Sequence, residues 1–110
     1  MFGNFGKMMK LASELKTKLP EMKERLASTE YPAEAGGGAV GATVNGRLEI
    51  VDLRINPDLL ADETVDAEML ADLVRAAVAA AQARAAEAAQ QAMLELTGGM
   101  DLGGMGSLLE

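Results

Sequence analysis

An α+β fold is predicted for this chain: a long N-terminal helix, a small antiparallel sheet of two to three strands, and a long C-terminal helix. Three observations predict it. A heptad seam runs through the first segment, an Asn45-Gly46 turn signal joins two apolar-alternating segments, and an alanine-dense run with an apolar face fills the second half. Periods of about 3.5 residues argue helix, and alternation about a two-residue turn argues hairpin.

The seam is Met8, Ala12, Leu15, Leu19, Met22 and Leu26, recurring at alternating steps of four and three. A helix over residues 4–29 is predicted, with that seam packed on another element. Lys16 and Lys23 flank it on one side, Lys18 and Arg25 on the other, and Glu14, Glu21 and Glu24 lie on the back. Pro20 removes one backbone hydrogen bond inside this segment. Because the seam keeps its phase across the proline, a bend is expected, not two separate helices. Residues 30–38 read as a weak extended segment that ends in Gly36-Gly37-Gly38, with Pro32 fit only for an edge strand.

Asn45-Gly46 is a type I′ turn signal between Ala39–Val44 and Arg47–Ile55. A two-residue loop would pair Val44 with Arg47, Ala42 with Glu49 and Val40 with Val51. Val40, Ala42, Val44, Val51, Leu53 and Ile55 then share a helix-covered face. Leu48 and Ile50 would point the other way, onto a face that a second subunit covers. Asn56-Pro57 ends the strand, and Leu59 and Leu60 are expected to tuck a short turn under the sheet.

A second helix is predicted from near Asp66 to near Thr97, its positive end met by Asp66 and Glu68. Leu70, Leu73, Val74, Ala77, Val78 and Ala81 form its apolar face, and eleven of the seventeen residues from Ala76 to Ala92 are alanine. Alanine favours helix and lets backbones approach closely. The division expected is one α-β-β(-β)-α domain over 1–97 and a Gly/Met-rich flexible tail over 98–110. Two helices of about 25 and 30 residues, about 37 and 45 Å long, carry more apolar surface than so small a sheet covers. An obligate homodimer is therefore expected.

Composition narrows function by exclusion. With no cysteine or histidine among 110 residues, the usual nucleophiles, general bases and soft metal ligands are missing. The three serines, Ser13, Ser28 and Ser107, lie in no nucleophile context, so no enzyme is expected. Gly36, Gly38 and Gly41 spell G-x-G-x-x-G, but a polar segment precedes them and a strand follows, the reverse of a dinucleotide site. Asp58, Asp62, Glu63 and Asp66 lack the ligand spacing of a calcium loop and read as charge at a helix N-terminus. No metal, cofactor or small-molecule substrate is implied. The N-terminus has no secretory apolar core and the longest apolar stretch, Ala76 to Ala81, is far short of a membrane span. A cytoplasmic protein without membrane association is expected.

Charge points the other way, toward a partner. The net charge is −7, yet residues 1–30 carry six bases against four acids while the remainder carries four against thirteen. Lys7, Lys10, Lys16, Lys18, Lys23 and Arg25 are the candidate site: cations along one helix can neutralise phosphates without reading sequence. With only Phe2, Phe5 and Tyr31 as aromatics, a single-strand stacking platform is disfavoured and duplex DNA is the better anion. Two other readings stay open: the basic rim docks an acidic partner protein, or it simply complements the acidic remainder of the fold.

Several motifs carry a family resemblance over nearly the whole chain. These are Phe2-Gly3-Asn4, Lys7-Met8-Met9-Lys10, Gly36–Val40, Asn45-Gly46 and, most specifically, Ile55-Asn56-Pro57-Asp58-Leu59-Leu60-Ala61-Asp62-Glu63 followed by Glu68-Met69-Leu70-Ala71-Asp72-Leu73-Val74. The chain resembles the YbaB/EbfC family of bacterial nucleoid-associated proteins. The resemblance implies a helix–sheet–helix protomer in a homodimer whose helices project like tweezers. It also implies binding of duplex DNA with low or variable sequence preference, in the nucleoid, with a role in its organisation or in gene regulation. The chain departs from the family in its alanine-rich second helix, with Arg75 and Arg84 as its only bases, and in a tail without proline.

Overall fold

A computed structural model describes residues 2–97, with side chains from Phe5 onward. The elements run α1 (Phe2–Ser28), β1 (Glu30–Ala35), β2 (Val40–Asn45), β3 (Ile50–Ile55), α2 (Pro57–Ala61) and α3 (Ala67–Leu96). The fold class is the one predicted. The segment 98–110, expected to be a flexible tail, lies outside the described residues.

Helix α1 is continuous across Pro20. Its end is closed by Thr29, whose Oγ1 donates to the Arg25 carbonyl at 2.7 Å and whose N–H donates to the Leu26 carbonyl at 3.2 Å. The three strands form one antiparallel sheet in the order β1-β2-β3. Pro32 sits in edge strand β1, where its missing N–H costs no ladder bond to a further strand. Gly36, Gly37 and Gly38 turn β1 into β2 with φ of 65°, 67° and 93°, values that glycine adopts without penalty. The G-x-G-x-x-G run is thus a hairpin turn and the start of a strand.

The β2–β3 hairpin differs from the expected one. Its loop has three residues, not two: the Asn45 N–H donates to the Glu49 carbonyl and the Leu48 N–H to the Asn45 carbonyl, both at 3.0 Å. Asn45 stays in the strand and caps the loop instead. Its Oδ1 accepts from the N–H groups of Arg47 (2.8 Å) and Glu49 (3.1 Å). Leu48 takes the left-handed position, φ 67°, that glycine usually fills in such loops. The register moves with it. Val44 pairs with Ile50, Ala42 with Leu53 and Val40 with Ile55, with an irregularity at Thr43/Val44. Ile50 therefore lies across from the inward Val44 and not on the opposite face. The competing force is tertiary: Gly46 lies against the backbone of α1, and a Cβ there would collide with the Leu26 carbonyl.

Helix α3 begins at Asp66, whose Oδ1 accepts from the Met69 N–H at 2.8 Å. It lies over β1 and β2. Ala77, Ala81 and Ala85, one turn apart, are buried against Ala33, Val40, Ala42 and Val44 to make the core. The alanines let the helix sit close on the sheet, so little apolar volume closes a tight interface. Strand β3 lies beyond this cover. Ile50, Val51 and Leu53 are 54%, 47% and 42% exposed, and the outer edge of β3 has no strand partner among the described residues. Leu59 packs on the core as expected, whereas Leu60 points out at 61% exposure. The described chain measures 71 × 27 × 16 Å with a radius of gyration of 20.0 Å, against about 13 Å for a compact 100-residue domain.

Candidate nucleic-acid interface

The six cations named from sequence all lie on α1, and all are exposed. Their setting is fixed by how the seam is covered. Met8 is 68% exposed, Leu15 and Leu19 are half-buried, and Met22 is 6% exposed. Only the C-terminal half of the seam is therefore covered, by α3 and the hairpin turn; Phe5, Met8 and Met9 project with Lys7 and Lys10 beside them.

Covering a seam separates its flanks. Lys18 and Arg25 lie in a cleft with Glu21, Met22, Ala92, Glu95 and Leu96. Lys23 lies on the other side, on an open groove of about 660 Å³ lined also by Pro20, Met22, Leu26, Ala27, Gly46, Ala89 and Met93. The structure thus groups Lys18 with Arg25 and puts Lys23 elsewhere; Lys16 is two turns before Lys23 on the same flank. The six do not form one patch.

The two flanks also differ in compensation. Glu14 precedes Lys18, and Glu21 precedes Arg25, each by four residues, the spacing at which opposite charges face each other on a helix. Glu95 of α3 joins that cleft. Lys16 and Lys23 have no acid three or four residues away. Arg47, from the hairpin turn, adds a cation to the Lys23 groove, where Glu24 is the one acid. Among the described residues the two ion pairs, Arg54–Asp52 at 3.5 Å and Arg75–Asp72 at 3.6 Å, involve no α1 cation. Sequence reasoning passed over Arg47. Its signal, a base directly after Asn-Gly, gains meaning only once the turn is seen against α1.

The acidic cluster is occupied with local work. Asp62 Oδ1 accepts from the Thr64 hydroxyl at 2.6 Å and the Thr64 N–H at 2.9 Å, which holds its carboxyl below the usual aspartate range. Asp66 caps α3 and Asn56 caps α2. No group of three metal-binding side chains occurs among the described residues, and no described helix is long and apolar enough to cross a membrane.

The chain is similar to known proteins over most of its length. A nucleoid-associated protein of Clostridium acetobutylicum is 35% identical over 103 residues, 94% of this chain and 90% of that protein. One of Chlorobium phaeobacteroides is 40% identical over 97 residues, 88% of this chain and 84% of that protein. The crystal structure of an uncharacterized protein of Helicobacter pylori shares the fold, with a TM-score of 0.65, 24% identity, and coverage of 84% of this chain and 95% of that one. The family model described as the YbaB/EbfC DNA-binding family matches residues 1–100. This chain, with its basic helix flanks set on a small sheet, belongs to the YbaB/EbfC DNA-binding family.

Proposed function

We propose that this protein is a non-enzymatic homodimer that binds duplex DNA in the bacterial nucleoid through the α1 cations, acting on nucleoid organisation and gene expression by occupancy. The observation that carries the reading is the row of cations Lys16 and Lys23, extended by Arg47, with no acid at helix-neighbour spacing. Lys7 adds a further phosphate contact, and Lys10, Lys18 and Arg25 add contacts whose strength Glu14 and Glu21 reduce. Lys16 and Lys23 are about 10.5 Å apart along the axis, close to three base-pair steps of about 3.4 Å.

The dimer reading rests on β3. An open edge strand with exposed apolar side chains is a template for pairing. Leu48, Ile50, Val51 and Leu53, each at least 42% exposed, supply that surface. Leu53→Asp is expected to yield a folded monomer in sedimentation velocity at micromolar concentration. A dimer unchanged by L53D would move the interface away from β3.

Fluorescence anisotropy of a labelled duplex at about 50 and 200 mM salt tests DNA binding. For about four to six neutralised phosphates the log–log slope is near −4 to −5. Lys16→Glu with Lys23→Glu removes about two contacts and flattens the slope by about 1.8; K18E/R25E is expected to do less. If neither pair changes affinity, the rim is not the DNA surface. A second reading, an acidic protein partner, is favoured by the apolar floor of the Lys23 groove, which no phosphate needs.

A further inference from the structure

At its free end α1 presents Phe5, Met8 and Met9, 65%, 68% and 58% exposed, and phosphate contact gives these side chains nothing to do. Lys18 shares a cleft with Leu96, and Leu26 a groove with Ala89, so α1 and α3 run antiparallel. Because α3 ends at Leu96, the part of α1 from Phe5 to Thr17 runs on past it for about 20 Å. That part contains Lys7, Lys10 and Lys16, with Glu14 its one acid.

The placement of the three apolar side chains round the helix gives them a partner. At about 100° per residue, Phe5, Met9, Lys16 and Lys23 fall within about 40° of one line. The flank that carries the less compensated cations thus ends, toward the tip, in Phe5 and Met9. Phe5 is about 16 Å from Lys16 and about 27 Å from Lys23 along the axis. A duplex lying on the two lysines therefore reaches the tip within about eight base-pair steps. Lys7 and Lys10 stand one on each side of the tip, each about 100° round from Met8 or Met9. An apolar face between two cations sends apolar groups to the floor of a groove and ammonium groups to the phosphates on its walls. An anionic membrane fits less well. A helix lying in a lipid interface keeps its cations off the buried face, and here Lys16 and Lys23 continue that face.

We infer that Phe5 inserts between two base pairs of the duplex from the minor groove, with Met8 and Met9 against the sugars beside it, so that the protein kinks the DNA it binds. This deepens the DNA-binding reading and rests on it. A helix about 10 Å across does not enter a minor groove about 6 Å wide until the groove opens. Unstacking a base step with an apolar side chain opens it and bends the duplex by about 20–90°. Pyrimidine–purine steps unstack most easily, so they are the favoured sites without any hydrogen bond to a base edge.

The chain has no tryptophan, so Phe5→Trp puts a single indole at the tip, and Met69→Trp, at an exposed position on α3, is the control. Stacking on bases is expected to quench F5W emission at least about twofold when unlabelled duplex is added, and to leave M69W unchanged. Unquenched F5W with a duplex that anisotropy shows to be bound overturns the wedge and leaves DNA binding intact. Emission that shifts to the blue on vesicles of anionic phospholipid, without quenching by DNA, assigns the tip to a membrane and equally overturns it. As a second readout, a duplex of about 30 base pairs carries donor and acceptor dyes at its two ends. Saturating parent protein is expected to raise energy transfer. Phe5→Ala with Met9→Ala, at two exposed positions, is expected to return transfer to that of free duplex and to weaken binding about fivefold. The salt slope should stay unchanged, because no phosphate contact is lost. A bend that persists with F5A/M9A overturns the wedge. So does loss of the dimer by that variant in sedimentation velocity, which assigns the tip to a second copy. If the parent chain binds no duplex even at about 50 mM salt, the DNA-binding reading falls and the wedge with it.

Discussion

Gly46→Ala isolates the contact that orients α1. A Cβ at Gly46 would collide with the carbonyl oxygen and carbon of Leu26 and come within 2.9 Å of the Ala27 nitrogen. All three are backbone atoms, so no side chain can swing aside and the helix itself must move. Moving it strips cover from Met22, 6% exposed, and from the half-buried Leu26 and Ala27. Burying a methionine side chain stabilises by about 1.5–3 kcal/mol. Against this, glycine-to-alanine substitution at a compatible backbone stabilises by about 0.4–1 kcal/mol through the unfolded state, and Gly46 has no positive φ. The steric term wins, and a net destabilisation of about 0.5–2.5 kcal/mol is expected from these two terms. Urea unfolding followed by far-ultraviolet circular dichroism, at one fixed protein concentration because any dimer links stability to concentration, measures it. Gly37→Ala is the comparison: its Cβ meets nothing, but its φ of 67° costs about 1 kcal/mol. If G46A proved as stable as the parent chain or more so, α1 would not be seated on the turn, and the division of its flanks would fall with it.

Asp66→Ala removes the acceptor for the Met69 N–H and is expected to destabilise by about 1 kcal/mol, read from the same urea midpoint. Asp62 titrates below the ordinary aspartate range because the Thr64 hydroxyl and N–H favour its charged form. Its stabilising contribution is therefore present above the unfolded-state value and lost as pH falls through the depressed folded value. Thr64→Val should raise the Asp62 carboxyl titration toward normal in a carbon-13 NMR experiment, and an unmoved midpoint would remove the hydroxyl as the main cause. Leu48→Gly relieves a left-handed backbone that costs a side-chain-bearing residue about 1–2 kcal/mol. If Leu48 is retained for subunit contact, L48G should weaken self-association in sedimentation velocity while leaving the circular dichroism spectrum unchanged.

How far the sequence could be read depended on the distance over which each signal acts. The continuous α1 helix, the Asp66 cap and the alanine face of α3 are properties of neighbouring residues on one helix, and all three are where the pattern put them, although the α1 seam is covered only in its C-terminal half. The hairpin was legible as a hairpin, but its register was not. Asn45-Gly46 favours a two-residue loop locally, while the approach of α1 presses on Gly46 and three side-chain and backbone bonds of Asn45 hold a three-residue loop. Leu48 at positive φ is the visible consequence, and no local rule would place a leucine there. Leu60 turned out exposed for a related reason: α2 is one short helix capped by Asn56, and only Leu59 of its two leucines can face the core. Arg47 was illegible as a site residue because its meaning depends on which helix flank the turn meets.

That last point changes how an acidic protein can be read as a DNA binder. In a heptad helix the cations at either side of the seam look equivalent, and summing them over residues 1–30 treats them as one surface. Once α3 covers the seam they face different directions, and the sum no longer describes either. One flank carries Lys18 and Arg25 among Glu14, Glu21 and Glu95; the other carries Lys16 and Lys23, joined by Arg47. A duplex responds to the charges within about one screening length, about 10 Å at 0.1 M salt, and not to a chain total of −7. On the proposed reading, the acids of α2 and α3 weaken long-range attraction at low salt and matter little at physiological salt. Affinity should therefore depend far more on the two lysines and one arginine of the less compensated flank than on net charge. Replacing distant acids, such as Glu63→Gln with Glu68→Gln, tests this directly: the change in duplex affinity at about 150 mM salt should be under twofold, where K16E/K23E abolishes most of the binding.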